Sequence, residues 1–171
     1  NINPEHVVLD LVDKSRIVTY GVIKLGDETP KGVNCLRTSN VKWLNIDTSK
    51  IKKISKKLSD EYSRTILKGG EVLVNVRGTL GGVDVASDNM KGWNISREVA
   101  LIPVDSEIAN PYYVAYWVAS DFGQKWLNSV KKGAAYTGIN LTDLRILPIF
   151  IPSISNQNEI IKKIKLILNQ V

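Results

Sequence analysis

Cysteine, histidine and methionine each occur once in this 171-residue chain, as Cys35, His6 and Met90. A single thiol excludes a disulfide within the chain and a zinc site built from several cysteines, and it suits a reducing cytosol. With one imidazole, a Ser-His-Asp triad has almost no material. No second histidine stands ready to activate Cys35, which follows Asn34 in a strand-like stretch and reads as a buried structural thiol. No apolar run reaches the roughly 18 residues that a membrane span needs. No signal peptide, internal repeat or low-complexity tract is visible.

What is present describes an ordinary folded domain. Hydrophobic residues make up 43% of the chain and charged residues 23%, a balance that excludes intrinsic disorder. Lys and Arg number 23 against 17 Asp and Glu, giving a net charge of +6 and a pI near 9.4. That excess favours polyanion partners, nucleic acid or an anionic membrane surface, although many basic proteins bind neither. The chain begins at Asn1 rather than Met, which reads as a processed or cut fragment.

Along the chain, Pro4 to Asp13 reads as a short helix carrying His6, and Ile17 to Ile23 as a strand broken by a glycine. Val33 to Arg37 is a shorter strand. Lys50 to Lys68 is the most basic stretch, with Lys50, Lys52, Lys53, Lys56, Lys57, Arg64 and Lys68 against Asp60 and Glu61. Ser59 ahead of those two acids looks like a helix start, and Gly69-Gly70 like its end. Glu71 to Val76 alternates as a strand and runs into the glycine-rich loop Arg77-Gly-Thr-Leu-Gly-Gly82. Val83 to Ala86 and Glu98 to Val104 are further strands. Asn110-Pro111 opens a helix or helix pair through an Asn cap and a proline at the first helical position. Asn140 and Asp143 suit the caps of a helical turn, and Arg145 to Ile151 reads as a buried strand. Ser155 to Val171 is helical, with Ile160, Ile161, Ile164, Ile167, Leu168 and Val171 on one stripe near a heptad seam. Such a stripe needs a partner, so the natural protein is expected to continue into a longer helix or coiled coil.

Several clusters carry possible chemistry. Asn110-Pro-Tyr-Tyr113 approaches the Asn/Asp-Pro-Pro-aromatic motif of adenine amino-methyltransferases, in which the Asn accepts from the target amino group and the ring stacks on a flipped base. A capped helix start fits the same residues. The glycine cluster ahead of it also leads to a strand, not to the helix that S-adenosylmethionine binding needs. Arg77 to Gly82 lacks the Lys-Ser/Thr ending of a nucleotide P-loop, which leaves a tight turn or a DNA phosphate as its readings. Lys131 and Lys132 lie beside Tyr136, Thr137 and Asn140, a mix of charge for phosphates and hydrogen bonders for base edges. Lys91, Trp93, Asn94 and Arg97 form a similar cluster.

In this order the features resemble a target recognition domain from the specificity subunit of a type I restriction–modification system. The resemblance rests on Val18-Thr-Tyr-Gly-Val22; on Gly32-Val-Asn-Cys-Leu-Arg37, with Asn34 where the family favours Pro; on Leu67-Lys-Gly-Gly-Glu-Val-Leu73 leading to Arg77-Gly-Thr-Leu-Gly81; on Gly133 to Leu144 with Ile139-Asn140; and on Ile151-Pro-Ser-Ile-Ser-Asn-Gln-Asn-Glu-Ile160. It runs from about Tyr20 to the end of the chain. Asn156 stands where Glu usually precedes Gln157, and Glu71 replaces the common Asp.

The resemblance implies an α/β (α+β) fold: a twisted mixed or antiparallel sheet with flanking helices, and a C-terminal helix that starts a spacer coiled coil. Residues 1–152 would be the DNA target recognition domain and 153–171 the start of the spacer helix. The implied function is non-catalytic reading of one half of a bipartite double-stranded DNA target in the bacterial or archaeal cytoplasm. Partners would be methyltransferase subunits, which carry the S-adenosylmethionine, a restriction subunit and a second recognition domain. No cofactor is expected in this chain. The family supplies no residue code for the target. By chemistry, the DNA-contact candidates are Arg37, Arg77, Lys91, Arg97, Lys131, Lys132, Tyr136 and Asn140, and the subunit-contact helix is expected to use Ile160, Ile164, Ile167 and Val171. An adenine methyltransferase fragment and a protein-interaction scaffold are the alternatives.

Overall fold

Two short aliphatic segments with little charge, at residues 72–75 and 99–102, organise the chain, because every residue in both is buried. The computed structural model describes residues 4–133 and 137–169. In chain order the strands are β1 (His6–Val7), β2 (Thr19–Tyr20), β3 (Val33–Leu36), β4 (Val41–Lys42), β5 (Asn45–Ile46), β6 (Lys52–Ile54), β7 (Val72–Asn75), β8 (Val83–Val85), β9 (Asn94–Ile95), β10 (Val99–Ile102) and β11 (Pro148–Ile149). The helices are α1 (Lys56–Glu61), α2 (Pro111–Ala119), α3 (Asp121–Val130), α4 (Leu141–Arg145) and α5 (Ile154–Leu168).

The central sheet is four-stranded, in the order β2-β10-β7-β8, and antiparallel throughout. Period-two alternation sends Val72, Val74, Ala100 and Ile102 to one face, where they join Val114, Val118 and Leu127 of α2 and α3. Leu73, Val99 and Leu101 point to the other face and meet Leu36, Leu67, Met90 and Ile95. A strand buried on both faces reads as an apolar run, so the alternation expected over Glu71 to Val76 is not a solvent-and-core alternation. Behind the second face lies a three-stranded sheet, β6-β3-β9, in which β3 and β9 are parallel. The mixed α/β class with flanking helices is as expected.

Gly21 sits where a Cβ would come 1.8 Å from the Ile95 carbonyl oxygen, so only glycine lets this segment cross β9. The strand expected over Ile17 to Ile23 therefore shrinks to β2 and a lone bridge at Val22. Other boundaries also move. Pro4 to Asp13 is not an α-helix: β1 pairs with β11, and a 3-10 turn follows at Val8–Leu11. The cap of α1 is Ser55, whose Oγ accepts from the Leu58 N–H at 3.2 Å; Ser59, read as the start, is 1% exposed inside the helix. The buried strand expected over Arg145 to Ile151 reduces to β11, because α4 takes the chain as far as Arg145. The expected pair beginning at Asn110 is α2 and α3, and the C-terminal helix is α5.

Candidate nucleic-acid interface

Where β7 ends, its neighbours bring several loops to one edge. Gly78 turns the chain at φ +72°, against the Thr38 side chain. The Thr38 hydroxyl donates to the Thr79 carbonyl at 2.8 Å, and the buried Asn75 amide faces the carbonyls of Thr38 (3.2 Å), Val41 (2.9 Å) and Thr79 (3.0 Å). The stretch after β3 and the glycine loop after β7 are thereby locked together. The turn before β10 joins them: the Glu98 carbonyl accepts from the Val76 and Arg77 N–H groups, and its carboxylate from the Thr38 N–H. On the other side, Lys132 and Gly138 exchange both backbone hydrogen bonds, at 2.9 and 3.0 Å, and Ile139 donates to the Val76 carbonyl at 2.8 Å.

Arg77, Arg97, Lys132 and Asn140 are brought to this edge, and all four are exposed. The Arg77 guanidinium lies 5.9 Å from the centre of the Tyr20 ring. Lys132 Nζ is 3.8 Å from Asp143, a long pair in which the lysine stays 68% exposed. Asn140 holds the N-cap position of α4, yet its side chain makes no capping hydrogen bond. Lys131 is exposed beside Lys132. Arg37 enters the edge from β3 but is half-buried, with Nε enclosed and without a hydrogen-bond partner among the described residues. Glu98 and Asp143 are acids set among these cations.

Two candidates fall elsewhere. Lys91 sits at the opposite end of β7, beside Gly69, and pairs with Asp88 at 3.2 Å. It shares a sequence neighbourhood with Arg97 but not a surface, because β9 and the following turn carry the chain across the sheet. Asn94 of the same cluster is fully buried: its amide donates to Ser59 Oγ at 3.0 Å and its carbonyl accepts from Thr65 Oγ1 at 2.7 Å. Trp93 is half-buried against the second core. Tyr136 lies outside the described residues.

A family model, the type I restriction modification DNA specificity domain, matches residues 21–171. The chain belongs to this family. It is 28% identical over 161 residues to the type I restriction enzyme EcoBI specificity subunit of Escherichia coli, an alignment covering 94% of this chain and 34% of that protein. Its fold is similar to that of the HsdS subunit from Thermoanaerobacter tengcongensis, with TM-score 0.71 and 16% identity over 96% of this chain and 42% of that one. The type I restriction-modification S subunit from M. genitalium follows with TM-score 0.62 and 17% identity, covering 97% and 40%. The specificity domain thus spans about a third of the length of its curated relative.

Elsewhere in the specificity domain, the residues weighed for chemistry hold structural positions. Asn110 Oδ1 accepts from the Tyr112 N–H at 3.0 Å, its Nδ2 donates to Asn158 at 3.0 Å, and the Tyr113 hydroxyl donates to the Phe150 carbonyl at 2.7 Å. The motif that suggested a methyltransferase is a capped helix start. Cys35 is fully enclosed, and burial pushes its thiol up to about 12. His6 lies in β1 rather than a helix. Of the Lys50 to Lys57 run, Lys52 pairs with Glu28 and Lys56 with Asp60. Among the described residues no helix is long and apolar enough to cross a membrane. Sequence reasoning passed over Trp43, 55% exposed in the β4–β5 hairpin with its Nε1 donating to the Ala119 carbonyl at 2.9 Å. It also passed over Asn75 and Thr38, which position the edge. An Asn inside an aliphatic strand was the available signal, because a buried amide there needs loop carbonyls to satisfy it.

Proposed function

We propose that this chain reads one half of a split double-stranded DNA target and directs the methyltransferase and restriction subunits of a type I restriction–modification complex to it, performing no chemistry itself. The observation that carries the reading is the meeting of Arg77, Arg97, Lys132 and Asn140 at one edge in a chain of the DNA specificity family. Arg and Asn side chains suit bidentate contacts to guanine and adenine edges, while Lys suits phosphates. Arg37 and Lys131 would add to that edge, Tyr136 stays a candidate by residue type alone, and Lys91 would contact DNA only on a footprint reaching the far end of β7.

In this account residues 1–152 recognise DNA and residues 153–171 begin a spacer helix. Gln157 and Ile161 turn inward on α5, leaving Ile160 38% and Ile167 62% exposed for a second helix. Ile164 would lie at the margin of that contact, and Val171, outside the described residues, would continue it. The S-adenosylmethionine would sit in the methyltransferase partner, and the whole assembly would act on DNA in the cytoplasm.

Paired substitutions test the division of labour. Arg77→Ala or Asn140→Ala should relax the preference at one base position, at a cost of roughly 1–3 kcal/mol. Lys132→Ala should weaken binding to every duplex and reduce the salt slope by about 0.9. If all three variants weaken target and non-target duplexes alike, base reading at this edge is wrong.

A further inference from the structure

The base-reading edge continues into a basic groove. Tyr20, under the Arg77 guanidinium, lines a cavity of about 300 Å³ together with Tyr62, Arg64 and Leu141. Arg64 also lines the adjoining cavity of about 290 Å³, with Arg16, Ser63, Lys68, Ser15 and Ile17. One path thus runs from Arg77 past Tyr20 and Arg64 to Arg16 and Lys68, with cations at intervals along it.

The fold holds these cations in place from below. Glu71 is 1% exposed, and its Oε1 accepts from Arg16 Nη1 and from the Lys68 N–H, both at 2.7 Å. Arg16 Nη2 is enclosed without a partner among the described residues. Arg64 rides on the 3-10 turn Ser63–Thr65, which the buried Asn94 pegs through Thr65 Oγ1. The acids facing the groove are Asp13, near Arg16 and Lys68, and Glu61, on the wall of the first cavity. Among the described residues, neither Arg64 nor Lys68 has a carboxylate within 4.0 Å, whereas Arg16 is neutralised by Glu71.

We propose that this groove is a track for the DNA phosphate backbone flanking the base-reading edge, in which Arg64 and Lys68 each neutralise one phosphate. It rests on the DNA-reading function proposed above. A small anion would need one enclosed pocket; two open cavities that share Arg64, one of them lined by the Tyr20 ring under Arg77, suit a polyanion laid along them. Such contacts fix register and strengthen binding without carrying sequence information.

The test is the salt dependence of binding to a target duplex and a scrambled duplex, for the wild-type chain and for Arg64→Gln, Lys68→Gln and the double variant, each with the cognate methyltransferase subunit present. Both side chains are exposed, so thermal midpoints should stay at wild type. The double variant should lose about 1.8 from the magnitude of the log–log salt slope, half from each single change. Wild-type affinity would then fall about tenfold more than the variant's between about 50 and 200 mM salt, equally for both duplexes. A wild-type slope in the double variant, or a changed sequence preference, overturns the track while leaving the DNA reading in place. A wild-type chain that binds neither duplex overturns the reading and the track with it.

Discussion

Arg16 Nη1 lies 2.7 Å from Glu71 Oε1, joining two residues 55 positions apart in the chain. The arginine keeps 14% of its side-chain surface and the glutamate 1%, so the carboxylate depends on the arginine for its charge to be tolerated. Arg16→Ala should therefore cost about 3–5 kcal/mol, because it leaves a buried charge behind. Arg16→Met combined with Glu71→Leu should cost less than Arg16→Ala alone. Denaturant titration of the three proteins checks this; a double variant as unstable as the single would contradict it.

Asn75 should act on both stability and recognition. Asn75→Leu removes the donor for the carbonyls of Thr38, Val41 and Thr79; Thr79 keeps the Thr38 hydroxyl, while each buried acceptor left unpaired costs about 1–3 kcal/mol. A loss of about 2–4 kcal/mol is expected after partial relaxation. Discrimination between target and scrambled duplexes should fall while the salt slope stays at the wild-type value. A changed slope would mean that Asn75 does more than hold the two loops together.

The sheet was legible where the chain is apolar. Val72–Asn75 and Val99–Ile102 announce themselves, and Asn110-Pro111 marks the start of α2 through a cap and a fixed φ. The shorter elements were not. Nothing local distinguishes Ser55 from Ser59 as a cap, because the choice depends on Ser59 being buried against Asn94, 35 residues away. The site was legible by residue type and not by position. Lys91 and Arg97 look like neighbours until the sheet sends them to opposite ends of β7. Arg64 and Lys68 read only as members of a basic stretch, because the residues that share their cavities, Tyr20 and Arg16, come from far earlier in the chain.

Cys35 gives a pH dependence with a defined sign. Its folded-state value lies near 12 and its ordinary value near 9.0, so the folded chain holds the thiol proton more tightly. The contribution to stability is fully present below pH 9 and is lost as pH rises from 9 towards 12, by about 1.4 kcal/mol per unit. Subtracting the same titration for Cys35→Ala removes the effects of lysine and tyrosine. A difference curve that is flat over this window would show that the thiol is more accessible than its 0% exposure implies.

Gln157 should govern how α5 leaves the domain. Its Oε1 accepts from the Asn110 N–H at 2.8 Å, its Nε2 donates to the Pro152 carbonyl at 2.9 Å, and it is 0% exposed. Gln157→Ala should speed hydrogen exchange in α5 and at the start of α2, leaving β7 and β10 protected as before. The loss should be local, about 1–3 kcal/mol in the opening free energy of α5. Unchanged exchange in α5 would mean that the apolar contact at Ile161 alone seats the helix.

The most direct test of the central claim is selection of bound duplexes from a randomised DNA pool, at two salt concentrations, with and without a cognate methyltransferase subunit. The account predicts enrichment of one short motif that persists at the higher salt, and loss of preference at one of its positions with Arg77→Ala. Binding without enrichment that vanishes at higher salt, or no binding even with the partner present, would contradict it.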